Sequence, residues 1–112
     1  MEKTLRHIEK LLREYDFIVE ANLVDRAATL YDIDQSKACE EMIATEWWAG
    51  ENAVAEANLS IAGGFTSKAR VDQDQFQQLI IKLYKLLNEH GFRSYHATLV
   101  TSQYHKWLAS RV

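Results

Sequence analysis

Two stretches in the middle of the chain, 55–61 and 65–71, alternate between a mostly apolar and a polar set of positions, with Ser67 as the polar member of the apolar set. A period of two is typical of a β-strand with one buried face. A loop over 62–64, which contains Gly63 and Gly64, would pair Ile61 with Phe65 and bring the apolar residues of both stretches to one face. The pattern therefore predicts a β-hairpin over 55–71. The competing interpretation is a helix over 51–62 that ends at Gly63.

After the predicted hairpin, the apolar spacing changes to three and four, which is typical of a helix. Asp72 is a suitable N-cap with Gln75 as its capping-box partner, and Gly91 stands where a helix of this length would end. Phe92 can contact Leu87 in a Schellman-type closure. A core helix is predicted over 73–90. Its apolar residues are Phe76, Leu79, Ile80, Leu83, Leu86 and Leu87.

The first part of the chain also has helical periodicity. Its apolar stripe consists of Leu5, Ile8, Leu12, Tyr15, Val19, Leu23, Ala27 and Leu30. One helix over 3–31 would be about 43 Å long at 1.5 Å per residue, whereas a compact chain of this size is roughly 35 Å across. Either the helix breaks near Tyr15 and Asp16, or one end extends and packs on a second copy. The second possibility predicts a homodimer.

Two further features concern residues 16–50. The tetrapeptide EANL occurs at 20–23 and again at 56–59. A decayed repeat would make 16–33 a second hairpin, and this alternative to the helix stays open. A further helix is predicted to begin at Asp34. It would present Ala38, Cys39, Met42, Ile43 and Trp47 on its apolar face.

The C-terminal pattern supports two interpretations. Alternation over 93–100 predicts a third strand, followed by a short helix over 102–110. A helical stripe through the same stretch is the alternative. It would consist of Ala97, Val100, Tyr104, Trp107 and Leu108. The preferred fold is α+β in one domain over 1–112, with a helical part over 1–50 and a ββαβ-like part over 51–112. The alternative fold is an all-α four-helix bundle.

Composition places the chain among ordinary globular proteins. It has 112 residues, of which 47% are hydrophobic and 26% charged. No apolar run reaches the roughly 18 residues of a membrane span, and the charged N-terminus does not resemble a secretion signal. Cys39 is the only cysteine, which excludes an internal disulfide and fits a reducing compartment. We expect a cytoplasmic protein that does not enter a membrane.

The charge distribution raises the possibility of nucleic-acid binding. Residues 1–56 carry 6 Lys and Arg against 13 Asp and Glu, whereas residues 57–112 carry 7 against 3. Such asymmetry indicates either a basic surface for nucleic acid or two halves whose charges complement each other. The nucleic-acid hypothesis would use Lys68, Arg70, Arg93, His96, His105, Lys106 and Arg111, interleaved with Tyr95, Tyr104 and Trp107.

Signals for chemistry are weak. The histidines show no metal-ligand spacing, no glycine-rich phosphate loop follows a strand, and no cofactor is predicted. Cys39 is expected to be a buried, unreactive thiol. The stretch HATL at 96–99 resembles one half of the paired His-x-Thr motif of two-histidine phosphoesterases. A second such motif is missing, so a small hydrolase around His96 is only the third hypothesis.

Aromatic residues supply the candidate contact surface. Trp47 and Trp48 point about 100° apart on a helix, so one of them is expected at a surface or interface. Tryptophan is enriched among residues that dominate binding energy. The sequence therefore favours a small non-enzymatic protein of the inhibitor, immunity or adaptor type that acts through protein contact. The predicted interface consists of Trp47, Trp48, Tyr104 and Trp107.

Overall fold

In a computed structural model that describes residues 1–110, every regular element of those residues is helical. The α-helices in chain order are α1 (Glu2–Glu14), α2 (Ile18–Ile33), α3 (Gln35–Met42), α4 (Thr45–Trp48), α5 (Leu59–Ala62), α6 (Ser67–Glu89) and α7 (Tyr95–Ala109). A 3-10 turn at Val54–Glu56 precedes α5. The predicted α+β class, with its ββαβ-like part, is therefore wrong, and the all-α alternative is confirmed. No helix of the described residues is both long and apolar enough to cross a bilayer.

The predicted hairpin over 55–71 is replaced by two helix starts. Asn58 caps α5, where its Oδ1 accepts from the Ile61 backbone N–H at 3.0 Å, and Thr66 caps α6, where its Oγ1 accepts from the Ala69 N–H at 3.1 Å. Both residues had been assigned to the polar face of the hairpin. Phe65, which the hairpin would bury, is exposed. The polar caps Asn58 and Thr66 therefore stand at positions where a strand would also have polar residues. The competing helix over 51–62 is also wrong, because only its last turn, α5, is α-helical.

Helix α6 contains the predicted core helix but begins at Ser67 instead of 73. Its first turns are buried at Ala69 and Gln73. The Oε1 of Gln73 accepts from the Leu59 backbone N–H at 2.7 Å, so a polar side chain lies on the core face because it caps a neighbouring helix. Asp72, the predicted N-cap, lies inside α6 and accepts from the Tyr15 hydroxyl at 2.5 Å.

The predicted end of this core helix is confirmed. Gly91 has φ +88°, the Phe92 N–H donates to the Leu87 carbonyl at 2.9 Å, and the Gly91 N–H donates to the Asn88 carbonyl at 2.9 Å. These two hydrogen bonds are those of the Schellman motif.

The N-terminal helix breaks at Asp16, which has φ +62°. The Phe17 N–H donates to the Leu12 carbonyl at 2.9 Å and the Asp16 N–H to the Arg13 carbonyl at 3.2 Å, which is again a Schellman closure. The break turns α2 back against α1 and shifts its apolar phase, so Val19 is exposed. Because no helix among residues 1–110 reaches the 29 residues of the predicted helix over 3–31, the argument for a homodimer no longer applies. Residues 18–33 form α2, so the alternative of a second hairpin over 16–33 is wrong.

The helix predicted from Asp34 is confirmed as α3, where the Asp34 carboxylate accepts from the Lys37 backbone N–H at 3.1 Å. The predicted third strand over 93–100 is wrong. Ser94 caps α7 by accepting from the Ala97 N–H at 3.2 Å. Within α7, Ala97 and Thr101 are buried at a spacing of four.

The core surrounds α6, which packs against α1, α5 and α7. Trp48 is fully buried among these elements, its indole N–H donates to the Met42 carbonyl at 2.7 Å, and its ring meets the Tyr84 ring edge-to-face at 5.5 Å. Cys39 is also buried, and burial raises the pKa of its thiol. The side chains at the centre of the core are Leu5, Ile8, Leu12, Val24, Met42, Phe76, Ile80, Leu83 and Leu87.

Two buried side-chain oxygens of α6, Gln77 Oε1 and Asn88 Oδ1, have no hydrogen-bond partner among the described residues. Gln77 is 2% exposed, and its Oε1 accepts no hydrogen bond from any described residue. An unsatisfied buried acceptor costs about 1–3 kcal/mol, so Gln77→Met should raise the free energy of unfolding by about 1–2 kcal/mol in urea denaturation. The adjacent Gln78 is exposed, and Gln78→Met should change it by less than about 0.5 kcal/mol. If Gln77→Met instead lowers the free energy of unfolding, the Gln77 oxygen accepts a stabilising hydrogen bond and the prediction is wrong.

Candidate functional site

A groove runs beside α7, where a cavity of about 450 Å³ separates this helix from the chain around Ala57. Five residues of α7 form one wall, at positions that share a helix face: Leu99, Val100, Gln103, Tyr104 and Trp107. Glu56, Ala57, Asn58 and Gln73 form the opposite wall. The volume lies within the roughly 300–1,000 Å³ of ligand-binding clefts.

Hydrogen bonds hold this wall of α7 in place. The Tyr104 hydroxyl donates to the Ala55 carbonyl, which ties α7 to the 3-10 turn. Burial, together with the charge of Glu56, raises the pKa of Tyr104 to about 12, so the phenol stays protonated and keeps donating at neutral pH. At the other end of α7, the Tyr84 hydroxyl donates to the Ser94 carbonyl at 3.0 Å.

The α7 wall exposes large apolar side chains. Trp107 is 46% and Leu99 51% exposed, and the Trp107 ring lies against the Tyr104 ring with centroids 5.7 Å apart. The Oε1 of Gln73 is engaged with Leu59, but no hydrogen bond of the described residues uses its amide nitrogen. The groove therefore combines an apolar surface with a free donor on its opposite wall.

A second cavity of about 390 Å³ adjoins the first, since Glu56, Ala57 and Asn58 line both. Phe17, Glu20, Gly50, Asn52, Ala53, Ile61 and Ala62 complete its lining. We call it the acidic pocket because Glu20 and Glu56 both line it. Two of its lining residues, Gly50 and Asn52, have the positive φ of a left-handed backbone conformation, +102° and +61°.

The four residues of the predicted protein interface do not lie together in the structure. Trp47 and Trp48 are both buried, and Trp47 lines a separate cavity together with Leu23 and Arg26. The expectation that one of them is exposed is wrong because the short helix α4 is enclosed by the turn that follows it and by α7. Tyr104 and Trp107, in contrast, meet in the groove.

The residues of the nucleic-acid hypothesis lie at both ends of α6 and along α7. Lys68 and Arg70 lie at the start of α6 and Arg93 beyond its end, and 23 helical residues span about 35 Å. The Lys68 ammonium is 2.7 Å from Asp72 and 3.3 Å from Glu14, which balances its charge. His105 and Lys106 are exposed on α7. Arg111 lies outside the described residues.

His96, the centre of the hydrolase hypothesis, is half-buried on α7 and packs edge-to-face on Tyr95, with ring centroids 5.9 Å apart. Within residues 1–110, no three His, Cys, Asp or Glu side chains are grouped so that they could hold a metal ion.

Sequence reasoning missed Leu99, Gln73 and Glu20 as groove residues. The predicted strand over 93–100 includes Leu99, and the predicted helix over 73–90 begins at Gln73, but neither pattern indicates a binding site. The repeated EANL tetrapeptide did single out Glu20 and Glu56, although a repeat does not by itself indicate a site.

Comparison of the chain with known protein families, curated proteins and solved structures finds no match. The geometry of the groove is therefore the basis for any functional assignment.

Proposed function

We propose that the protein is a small, non-enzymatic binding module whose groove holds a short segment of a partner protein. The observation that carries this proposal is that the two cavities lie side by side and share the wall at 56–58. The first is lined by the exposed apolar side chains of Trp107 and Leu99, and the second is the acidic pocket. Exposed tryptophan next to a cleft is the kind of residue that dominates protein binding.

The charge of the groove defines the chemistry of the partner. Residues 1–56 carry a net charge of −7, and Glu20 and Glu56 of this part line the pocket. A segment with a large apolar side chain and a basic character complements both ends of the groove. The same charge disfavours a phosphate backbone, which binds through Lys and Arg.

The groove suits an adaptor, inhibitor or immunity-type protein, because such proteins act by occupying a partner. We place this activity in the cytoplasm, since the single cysteine, Cys39, is a buried free thiol.

Selection of random peptides displayed on phage tests the proposal without a known partner. Enriched peptides should carry an aromatic or large aliphatic residue, and Trp107→Ala or Leu99→Gln should weaken their binding by at least about tenfold in calorimetry. Both side chains are about half exposed, so both variants should remain folded.

Tyr95→Ala is the matched control, because Tyr95 is an exposed aromatic residue of α7 at the end away from Trp107. It should leave the affinity unchanged. A selection that enriches no peptide, or peptides whose binding ignores Trp107→Ala and Leu99→Gln, would contradict the proposed function.

A further inference from the structure

Glu20 is a buried carboxylate that the fold does not use. It lies in the first turn of α2, is 7% exposed, and lines the acidic pocket. No ion pair or side-chain hydrogen bond among the described residues involves it. The Arg13 guanidinium, which is on the preceding helix, donates to Glu9 and Asn22 instead.

An ionised carboxylate removed from water without a partner is unfavourable, and buried charges in proteins are normally paired. The N-terminus of α2 offsets part of this cost through the helix dipole. The carboxylate oxygens of Glu20 still reach water through the pocket, and a cation that enters the pocket would replace this water with an ion pair. The position of Glu20 is therefore explained by a ligand more readily than by stability.

The surroundings of Glu20 indicate an organic cation. Glu56 adds a second carboxylate, and Asn52 is a polar residue of the same lining. Phe17 and Ile61 contribute apolar surface to the walls. A planar guanidinium on an aliphatic stem matches this combination, because it donates to several oxygens at once and packs on apolar and aromatic faces.

We infer that the acidic pocket binds the side chain of an arginine in the partner segment, with Glu20 as its principal carboxylate. This inference rests on the proposed function, because the arginine belongs to the same segment whose apolar residue contacts Trp107. Both cavities are lined by 56–58 and are therefore close together, so a single extended segment is the occupant that would reach both.

The test removes the charge of the arginine in the peptide and, separately, that of Glu20 in the protein. Arginine in a groove-binding peptide is exchanged for citrulline, its uncharged isostere, and Glu20→Gln removes the carboxylate charge at nearly constant volume. Each change should weaken binding at least about tenfold, and both together should weaken it little more than either alone.

Glu51→Gln is the matched control, because Glu51 is an exposed carboxylate next to Gly50 and Asn52 that does not line the pocket. It should leave the affinity within about twofold, since a solvated charge interacts weakly. Glu20→Gln should also unfold at the same or higher urea concentration than the unaltered protein. A clear loss of stability would assign Glu20 to the fold and overturn the inference.

The two proposals fail in different ways. If selected peptides depend on Trp107 but contain no arginine, or bind equally well with citrulline, the arginine inference is overturned and the binding function stands. If no peptide is enriched, N-acetylarginine amide is titrated into the labelled protein and followed by amide chemical shifts. If the backbone amides of 50–58 shift with N-acetylarginine amide but not with N-acetylcitrulline amide, and not in Glu20→Gln, the arginine inference is supported without the binding function. If they do not shift with N-acetylarginine amide, the arginine inference is overturned.

Discussion

Trp48→Ala should lower the free energy of unfolding by about 3–5 kcal/mol, the largest loss expected from a single substitution in this chain. The side chain is 0% exposed and packs against Tyr84 at a centroid distance of 5.5 Å. Its removal leaves a cavity where α4, α6 and α7 approach one another. It also leaves the Met42 carbonyl without the indole donor now at 2.7 Å.

Urea denaturation followed by circular dichroism measures this loss. If Trp48→Ala does not fold, Trp48→Phe keeps most of the packing and loses only the hydrogen bond and part of the ring, so a smaller loss of about 1–2 kcal/mol is expected. Trp107→Ala is the control, because that ring is 46% exposed, and it should cost clearly less than Trp48→Ala. Equal losses for the two tryptophans would contradict the burial of Trp48.

Gly63→Ala should lower the free energy of unfolding by about 1–3 kcal/mol through overpacking. Gly63 has an ordinary φ of −88°, so its backbone does not require glycine. An added Cβ would instead lie 2.5 Å from the Ala69 Cβ and 2.8 Å from the Tyr15 Cε1. Neither neighbour can move easily, because Ala69 is buried in α6 and the Tyr15 hydroxyl donates to Asp72 at 2.5 Å.

The steric origin of this effect can be checked by a double-mutant cycle in urea. Ala69→Gly removes the atom closest to the new methyl group, so the double variant should be more stable than the sum of the two single losses predicts. Gly64→Ala is a second comparison: Gly64 has φ +65° and nothing within 4 Å of an added Cβ. It should lose only about 1 kcal/mol, from backbone strain. Strict additivity of Gly63→Ala and Ala69→Gly would exclude the proposed contact.

The elements predicted correctly are those whose ends carry several local signals. The closure at Gly91 and Phe92 and the cap at Asp34 depend on residues within one helical turn, so their geometry can be derived without knowledge of the rest of the fold. The break at Asp16 was one of two alternatives, because aspartate adopts a positive φ less readily than glycine and gives a weaker signal.

The hairpin prediction failed because alternation over a few residues does not distinguish a strand from closely spaced helix caps. Asn58, between Ala57 and Leu59, and Thr66, after Phe65, are short polar residues that fit either a strand or a helix cap. The start of α6 at Ser67 could not be predicted, because Gln73 is polar and interrupts the apolar spacing. Its place on the core face depends on a hydrogen bond from the Leu59 N–H of another helix. Contacts of this kind are tertiary and leave no periodic signal in the chain.

The candidate site was predictable only in part. Tyr104 and Trp107 were chosen because aromatic residues often mediate binding, and both lie in the groove. Trp47 and Trp48 were chosen on the same grounds and are buried. The importance of Glu20 depends on its burial and on the lack of a partner among residues 1–110, neither of which a sequence pattern reveals.

The most direct test of the binding groove is the indole N–H spectrum of the ¹⁵N-labelled protein during titration with a selected peptide. Of the three tryptophans, only Trp107 lines the groove, whereas the Trp48 indole is engaged with Met42 in the core. The Trp107 resonance should move with increasing peptide, together with the backbone amides of 56–58, while the Trp48 resonance stays in place. Binding that leaves Trp107 and 56–58 unchanged would contradict the account.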